Sequence, residues 1–310
     1  MKIVVLVGGV GGARLAFGFY RMLPPGDLGI VVNTGDDFEH LGLHISPDLD
    51  TVTYTLAGLA NRDTGWGVAN DTFQALAALE RLGGPSWFRL GDRDLATHLQ
   101  RTALLSGGLR LTEATARICE ALGVYAPILP MTDDPVATKL VTDEGKLDFQ
   151  DYFVRRRCQP VVREVRFAGV EEAMPSREVL AALREADGVV IAPSNPFVSV
   201  EPILAVRGVR EIVASKPAIA VSPIVGGQAL KGPAAKMLGE LGLDVSPLGV
   251  AGRYTGVITG FVMDQRDESL ADGVSSLGLE VAVRQTIMRS DEDRVTLAQD
   301  CIELLSRLGA

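Results

Sequence analysis

The sequence predicts an α/β protein: one doubly wound, mostly parallel sheet with a largely helical insert. Three observations predict it. The chain opens as strand, glycine cluster, helix and strand, the order of a parallel unit with a right-handed crossover. Several later apolar runs are short and each stops in a turn rich in Gly, Pro, Ser or Asn. Hydrophobic residues make up 47% of the 310 residues but aromatics only 5%. The core is therefore aliphatic, which suits strands covered by helices on both faces.

The elements follow in order. Ile3–Val7 is a continuous apolar, largely β-branched run and reads as a buried strand. Gly8-Gly9-Val10-Gly11-Gly12 comes next, and residues 13–23 keep helical rhythm until Pro24-Pro25-Gly26. Residues 28–32 form the second strand. From about 49 to 135 the chain reads as a mainly helical insert, with helices over 72–82, 94–105 and 112–122. Residues 138–142 and 161–167 read as strands flanking a small excursion at about 138–175. The α/β pattern then returns: helix 176–185, strand 188–192, strand 218–222, strand 257–263 and a closing helix over 290–308 that Ser290 can cap. No repeat or linker divides the chain, so residues 1–310 read as a single domain, Rossmann-like in its sheet.

Composition narrows the function. Acidic residues outnumber basic ones 39 to 30, for a net charge of −9, whereas a nucleic-acid binder carries a basic excess or stripe. Arg155-Arg156-Arg157 is the one tight basic run, either a solvated face or an anion site. Cys119, Cys158 and Cys301 are scattered and odd in number, which argues against a disulfide framework or a thiolate zinc site. No apolar run reaches the roughly 20 residues of a membrane span. The first strand runs into glycines and not into a cleavage site, so the expected compartment is the cytoplasm. Only His40, His44 and His98 are present, His98 reading as a structural helix residue, and no Gly-x-Ser-x-Gly elbow appears. Covalent serine or cysteine catalysis is not expected.

Candidate chemistry collects after strands, where open α/β sheets bind ligands. Gly9, Gly11 and Gly12 can bring backbone N–H groups and a helix N-terminus to a phosphate, or simply pack helix on strand. Arg14 stands where a dinucleotide fingerprint needs its last glycine, and no Gly-Lys-Ser/Thr follows. Asn33-Thr34-Gly35-Asp36-Asp37 places two carboxylates after the second strand, for Mg²⁺, a ribose or a plain polar turn. Asp48-Leu49-Asp50 can direct two carboxylates to one hard cation or cap a helix. Gly65-Trp66-Gly67 offers an aromatic face to a flat ligand, unless Trp66 closes the core. Arg89 in Arg89-Leu90-Gly91-Asp92 can clamp a phosphate or join a surface ion-pair network. Pro193-Ser194-Asn195-Pro196, Ser222-Pro223-Ile224-Val225-Gly226-Gly227 and Lys231 repeat hydroxyl, amide and backbone donors at the same edge.

Taken together and in order, these segments, with Met131-Thr132-Asp133-Asp134, resemble the 2-phospho-L-lactate transferase family of coenzyme F420 biosynthesis. A sister group of nucleotide-sugar-binding regulators, linked to gluconeogenesis, shares the glycine cluster and the Pro-Ser-Asn-Pro-like segment. Asp50, Arg89-Leu90-Gly91-Asp92 and Phe149-Gln150-Asp151-Tyr152 look more like the transferases. An NAD(P)-dependent oxidoreductase is the third reading, weakened by Arg14.

The resemblance implies transfer of a 2-phospho-three-carbon-acid group, phospholactyl or phosphoenolpyruvyl. The donor would be guanosine diphosphate-linked, the acceptor the ribityl hydroxyl of the deazaflavin Fo, and GMP the leaving group. It implies Mg²⁺ as cofactor and a homodimer. Asp50 and Arg89 would then contact the acceptor, with Asp50 also the expected base. Asp36 and Asp50 are the expected metal ligands, with Asp37 and Asp48 as rivals. The glycine cluster, Asn33, Trp66, Ser194, Asn195, Ser222, Gly226, Gly227 and Lys231 would line the substrate site.

Overall fold

The computed structural model describes residues 1–310. The chain opens with β1 (Ile3–Val7), α1 (Gly9–Met22) and β2 (Leu28–Val32), followed by a hairpin of β3 (Phe38–His40) and β4 (Leu43–Ile45). Four helices succeed it: α2 (Pro47–Leu56), α3 (Gln74–Arg81), α4 (Asp92–Ser106) and α5 (Leu111–Ala121). Then come β5 (Ile128–Pro130) and an antiparallel trio, β6 (Ala137–Thr142), β7 (Gly145–Asp148) and β8 (Val162–Ala168). The second half runs α6 (Arg177–Glu185), β9 (Gly188–Ile191), α7 (Glu201–Ala205), α8 (Val209–Ala214) and β10 (Ala218–Val221). It closes with the hairpin β11 (Ile224–Val225) and β12 (Gln228–Ala229), α9 (Ala234–Glu240), α10 (Pro247–Arg253), β13 (Gly260–Asp264), α11 (Ala271–Ser275), β14 (Glu280–Arg284) and α12 (Asp291–Arg307). No helix is long and apolar enough to cross a membrane.

Seven strands form the main sheet in the order β14-β13-β10-β9-β1-β2-β5, and every neighbouring pair is parallel. The chain builds outward from β1 to β2 and β5, then crosses back to add β9 and the later strands. The direction of winding therefore reverses between β1 and β9, and the carboxyl ends of those two strands define the switch point. All five residues of β1 are buried. Their alternation sends Val4 and Leu6 into one apolar layer and Ile3, Val5 and Val7 into the other, as the two-residue period of a strand requires. The second layer is completed by α1 and α12, whose Leu15, Phe19, Leu297 and Leu304 are buried in it. Ser290 caps α12 with a reciprocal pair: its Oγ accepts from Asp293 N, and the Asp293 carboxylate accepts from Ser290 N.

Three differences from the sequence reading matter for the site. The glycine cluster is not a loop before the helix; it is the first turn of α1. Packing overrides the low helix propensity of glycine here, because a Cβ on Gly11 would stand 2.3 Å from the Pro193 carbonyl oxygen. The region expected as a helical insert at about 49–135 ends in β5, which pairs with β2 as an edge strand of the main sheet. β3, β4 and β14 were likewise not anticipated. The first two are three residues long, too short to establish a period. β14 is an edge strand carrying Glu280 and Arg284 at its ends.

Candidate active site

The switch point is built by side chains that hold strand ends together. Ser194, after β9, donates from Oγ to the Gly8 carbonyl at 2.7 Å and accepts from Gly8 N at 3.2 Å. This locks β1 to β9 at their carboxyl ends. Gly8 is the N-terminal flank of α1, and no side chain from its own segment caps that helix. The Asp48 carboxylate of α2 stands at this end, 3.7 Å from where a Cβ on Gly9 would lie. Gly9 itself sits at φ +66°, a left-handed conformation that glycine adopts without strain.

Asp48 is held on its other side by Asn33. The Asn33 Nδ2 donates to Asp48 Oδ2 at 2.9 Å and to the Val198 carbonyl at 3.2 Å, while its Oδ1 accepts from Gly35 N at 2.8 Å. Asn33 is thus fully used in bending the chain after β2 and aiming Asp48. Asp36 and Asp37 follow in the same turn. Asp37 accepts from Ser46 Oγ at 2.7 Å and lies 3.2 Å from His44 Nε2, yet its Oδ1 has no partner. Asp36 is 6% exposed, and its Oδ1 is also without a partner.

Three buried carboxylates thus lie near enough to act on one another's charge, with His44 and Arg101 acting on Asp37. Burial, and then the Asp48 charge, hold the Asp36 carboxyl well above its usual range. Burial pushes Asp48 up to about 6, with Asp37 adding to the effect, against the hydrogen bond from Asn33 and the backbone amide of Gly9. Asp37 is raised too, chiefly by burial. Such a set, with orphaned oxygens, fits a hard divalent cation that prefers oxygen ligands and would relieve the repulsion.

Asp50 lies elsewhere. It sits two residues after Asp48 on α2, and two helical residues are about 200° apart around the axis. Its carboxylate turns to α4, where Arg101 grips both oxygens, Nη1 reaching Oδ2 at 3.1 Å. His98 Nδ1 lies 3.6 Å from Asp50, His98 Nε2 3.4 Å from Asp94, and Tyr54 donates to Asp94 at 2.8 Å. Asp50, Asp94 and His98 are close enough to hold a metal, but Arg101 already neutralises Asp50. Asp48 and Asp50 therefore face different partners, and the carboxylate whose charge acts on Asp36 is that of Asp48. The sequence did carry a signal for the α4 partners: Asp94, His98 and Arg101 recur at four- and three-residue steps, a polar stripe on one buried helix face.

Trp66 is 47% exposed, so it does not close the core. Its loop is clamped by Lys231, whose Nζ donates to the Thr64 carbonyl at 2.7 Å. A Cβ on Gly65 would meet both Val10 and that amine, so α1, the Trp66 loop and the late turn converge. Arg89 is exposed and free of any ion pair, with its guanidinium 4.7 Å from the Phe73 ring centroid. Asp92 and Asp71 interlock the surrounding chain. Asp92 accepts from the amides of Gln74 and Ala75, and Asp71 from those of Arg93 and Asp94. Just before Arg89, Trp87 and Phe88 pack on Phe38 and His40, and Arg155 covers Trp87 at 4.6 Å. Phe38 directly follows Asp36-Asp37, so this aromatic group ties the Arg89 segment to the acidic turn. The sequence reading did not single it out, because its rings come from distant, weakly patterned segments.

The late turns spend their side chains on themselves. Asn195 Oδ1 accepts from Phe197 N, Ser222 Oγ accepts from Ile224 N, and Asp267 occupies the Gly226 amide. Gly226 and Gly227 take positive φ. These residues shape the edge of the site, and what they leave for a ligand is backbone.

A sheet wound in this order, with a helix N-terminus and an acidic cluster at its switch point, defines a small-molecule enzyme of the phosphate-handling α/β class. The comparisons sharpen that class. The family model described as 2-phospho-L-lactate transferase CofD matches residues 3–297, and the chain belongs to that family. A 2-phospho-L-lactate transferase of Methanosarcina acetivorans is 41% identical over 302 residues, covering 97% of this chain and 98% of that one. One from Methanopyrus kandleri is 41% identical over 312 residues, covering 99% of each. A phosphoenolpyruvate transferase of Streptomyces griseus is 38% identical over 318 residues, covering 100% of both. Among solved structures, a UPF0052-family protein of Bacillus halodurans matches with a TM-score of 0.64 at 15% identity, over 97% of this chain and 98% of that one. That likeness shows the shared fold alone.

Proposed function

We propose that the protein transfers a 2-phospho-three-carbon-acid group from a guanosine diphosphate-linked donor to the ribityl hydroxyl of the deazaflavin Fo, in coenzyme F420 biosynthesis. The observation that carries this reading is the buried acidic set Asp36, Asp37 and Asp48, with two oxygens lacking partners and Asp48 beside the start of α1. In the transfer, the ribityl oxygen attacks the phosphorus that bears the three-carbon acid. The bond from that phosphorus to the GMP oxygen breaks, GMP leaves, and the hydroxyl proton passes to a carboxylate or water.

Asp36 and Asp48 would hold Mg²⁺, which when bound neutralises charge on the diphosphate. Asn33 aims Asp48 by its 2.9 Å hydrogen bond. Gly9, Gly11 and Gly12 present the start of α1 to the diphosphate, and the late-turn backbone around Asn195, Ser222 and Gly226 borders the guanosine. Lys231 and Trp66 close the mouth. Arg89, with no acidic partner, meets the acceptor beside Phe73. Asp50, with both oxygens held by Arg101, serves that acceptor as a fixed hydrogen-bond acceptor. The expected assembly is a homodimer, measurable by light scattering.

The test is to incubate the protein with Fo, Mg²⁺ and each guanylylated donor, phospholactyl and phosphoenolpyruvyl, and to follow GMP and the deazaflavin product by chromatography. One donor should turn over. No GMP from either would sink the reading.

A further inference from the structure

A cavity of about 50 Å³ lies between α1, the end of α2 with the loop that follows it, and α12. Arg14, Arg62 and Arg294 line it, with Asn61, Thr55 and Phe17. Only one carboxylate answers these three guanidinium groups: Asp291, 3.2 Å from Arg62 and 3.0 Å from Arg294. Arg14 has a single long bond, 3.4 Å to the Met288 carbonyl. Arg294 is 9% exposed, lies 5.2 Å from the Phe17 ring centroid, and leaves its Nε buried without a partner. Burial and the nearby charges of Arg14 and Arg62 both lower its proton affinity. Like charges gathered around a void, with an unsatisfied buried donor, are an arrangement an anion would complete.

We propose that this cavity is a phosphate site, separate from the acidic cluster, in which Arg14, Arg62 and Arg294 hold a small tetrahedral oxyanion. The lining sets the ligand class: three guanidinium groups and the Asn61 amide offer donors, and no carboxylate is among the lining residues, which suits a phosphate group. The phosphate is either free or the end of a molecule whose remainder lies outside. Its three arginine contacts come from α1, the loop and α12, so occupation ties together the loop that carries Trp66 and the helix that opens the main site. The inference does not depend on which reaction the acidic cluster performs.

Calorimetry with inorganic phosphate, against chloride at matched ionic strength, tests it. Saturable binding is expected, weakened about tenfold or more in Arg294→Gln and Arg62→Gln, as for a lost charged hydrogen bond. The Arg62 side chain is 75% exposed, so that variant keeps its fold even if the Arg294 one does not. Arg163→Gln, an exposed arginine on β8, should bind like the parent and controls for net charge. Titrations with GMP and 2-phospholactate then distinguish a free phosphate from a phosphate end. No excess over chloride, or equal weakening in all three variants, overturns the site. So does binding of GMP with none of inorganic phosphate, which would make the arginines a wall of the nucleotide cleft.

Discussion

Asp48 and Asp50 stand two residues apart on the first turn of α2, both buried, and they have opposite electrostatic fates. Asp50 meets Arg101, with His98, Asp94 and Tyr54 around it. Asp48 meets Asp36 and Asp37, with no cation in contact. Burial alone is costly for a carboxylate; the partner decides whether the group is a structural brace or an unsatisfied, metal-ready ligand. The brace holds Asp50 in place through Arg101. The unsatisfied cluster stores repulsion that a bound cation releases.

The comparison breaks most visibly at Arg101. Arg101→Met leaves Asp50 buried without its partner and should cost about 3–5 kcal/mol in urea unfolding. A loss under 1 kcal/mol would mean Asp50 is solvated and the two regions do not differ. Asp48→Asn should do the reverse, leaving stability within about 1 kcal/mol or improving it. It should lower kcat about 10²- to 10³-fold, the scale of removing one key electrostatic contact, as read from GMP release at saturating donor.

Next comes pH. The Asp48 carboxyl is raised from 3.8 to about 6 in the folded protein, so the native state binds more protons than the unfolded chain between those values. Its contribution to stability is complete below about pH 4 and is lost as pH rises through 6, about 3 kcal/mol at roughly 1.4 per unit. The metal-free Tm should therefore fall over that window, and Mg²⁺ should raise Tm more at pH 7.5 than at pH 5. An Mg²⁺ effect equal at both would remove Asp48 from the ligand set. The smallest effect is Tyr54→Phe, which deletes the 2.8 Å bond to Asp94. It should cost about 1–2 kcal/mol with turnover unchanged, measured by denaturation and steady-state rates. A large loss of turnover would show that the brace also serves the chemistry.

Much of this was legible beforehand. The β-branched run of β1, the aliphatic runs of β9 and β10, and the Ser290 cap of α12 are local signals, and each element formed where its period placed it. The acidic turn after β2 was legible as well, since ligands gather at strand carboxyl ends. The separate partners of Asp48 and Asp50 were not legible, because residues two apart on a helix point to different sides. Gly11 was legible as special, but not the close Pro193 carbonyl that requires a glycine there.

By itself the sequence determined the parallel α/β class and the positions of the main turns, since backbone period and turn chemistry act over a few residues. Only the tertiary structure decided that Asp36 meets Asp48, that Arg101 claims Asp50 and that three arginines share a cavity. Those pairings depend on which faces of distant elements pack together, and the free energy of a charge is set by the neighbours it meets after that packing.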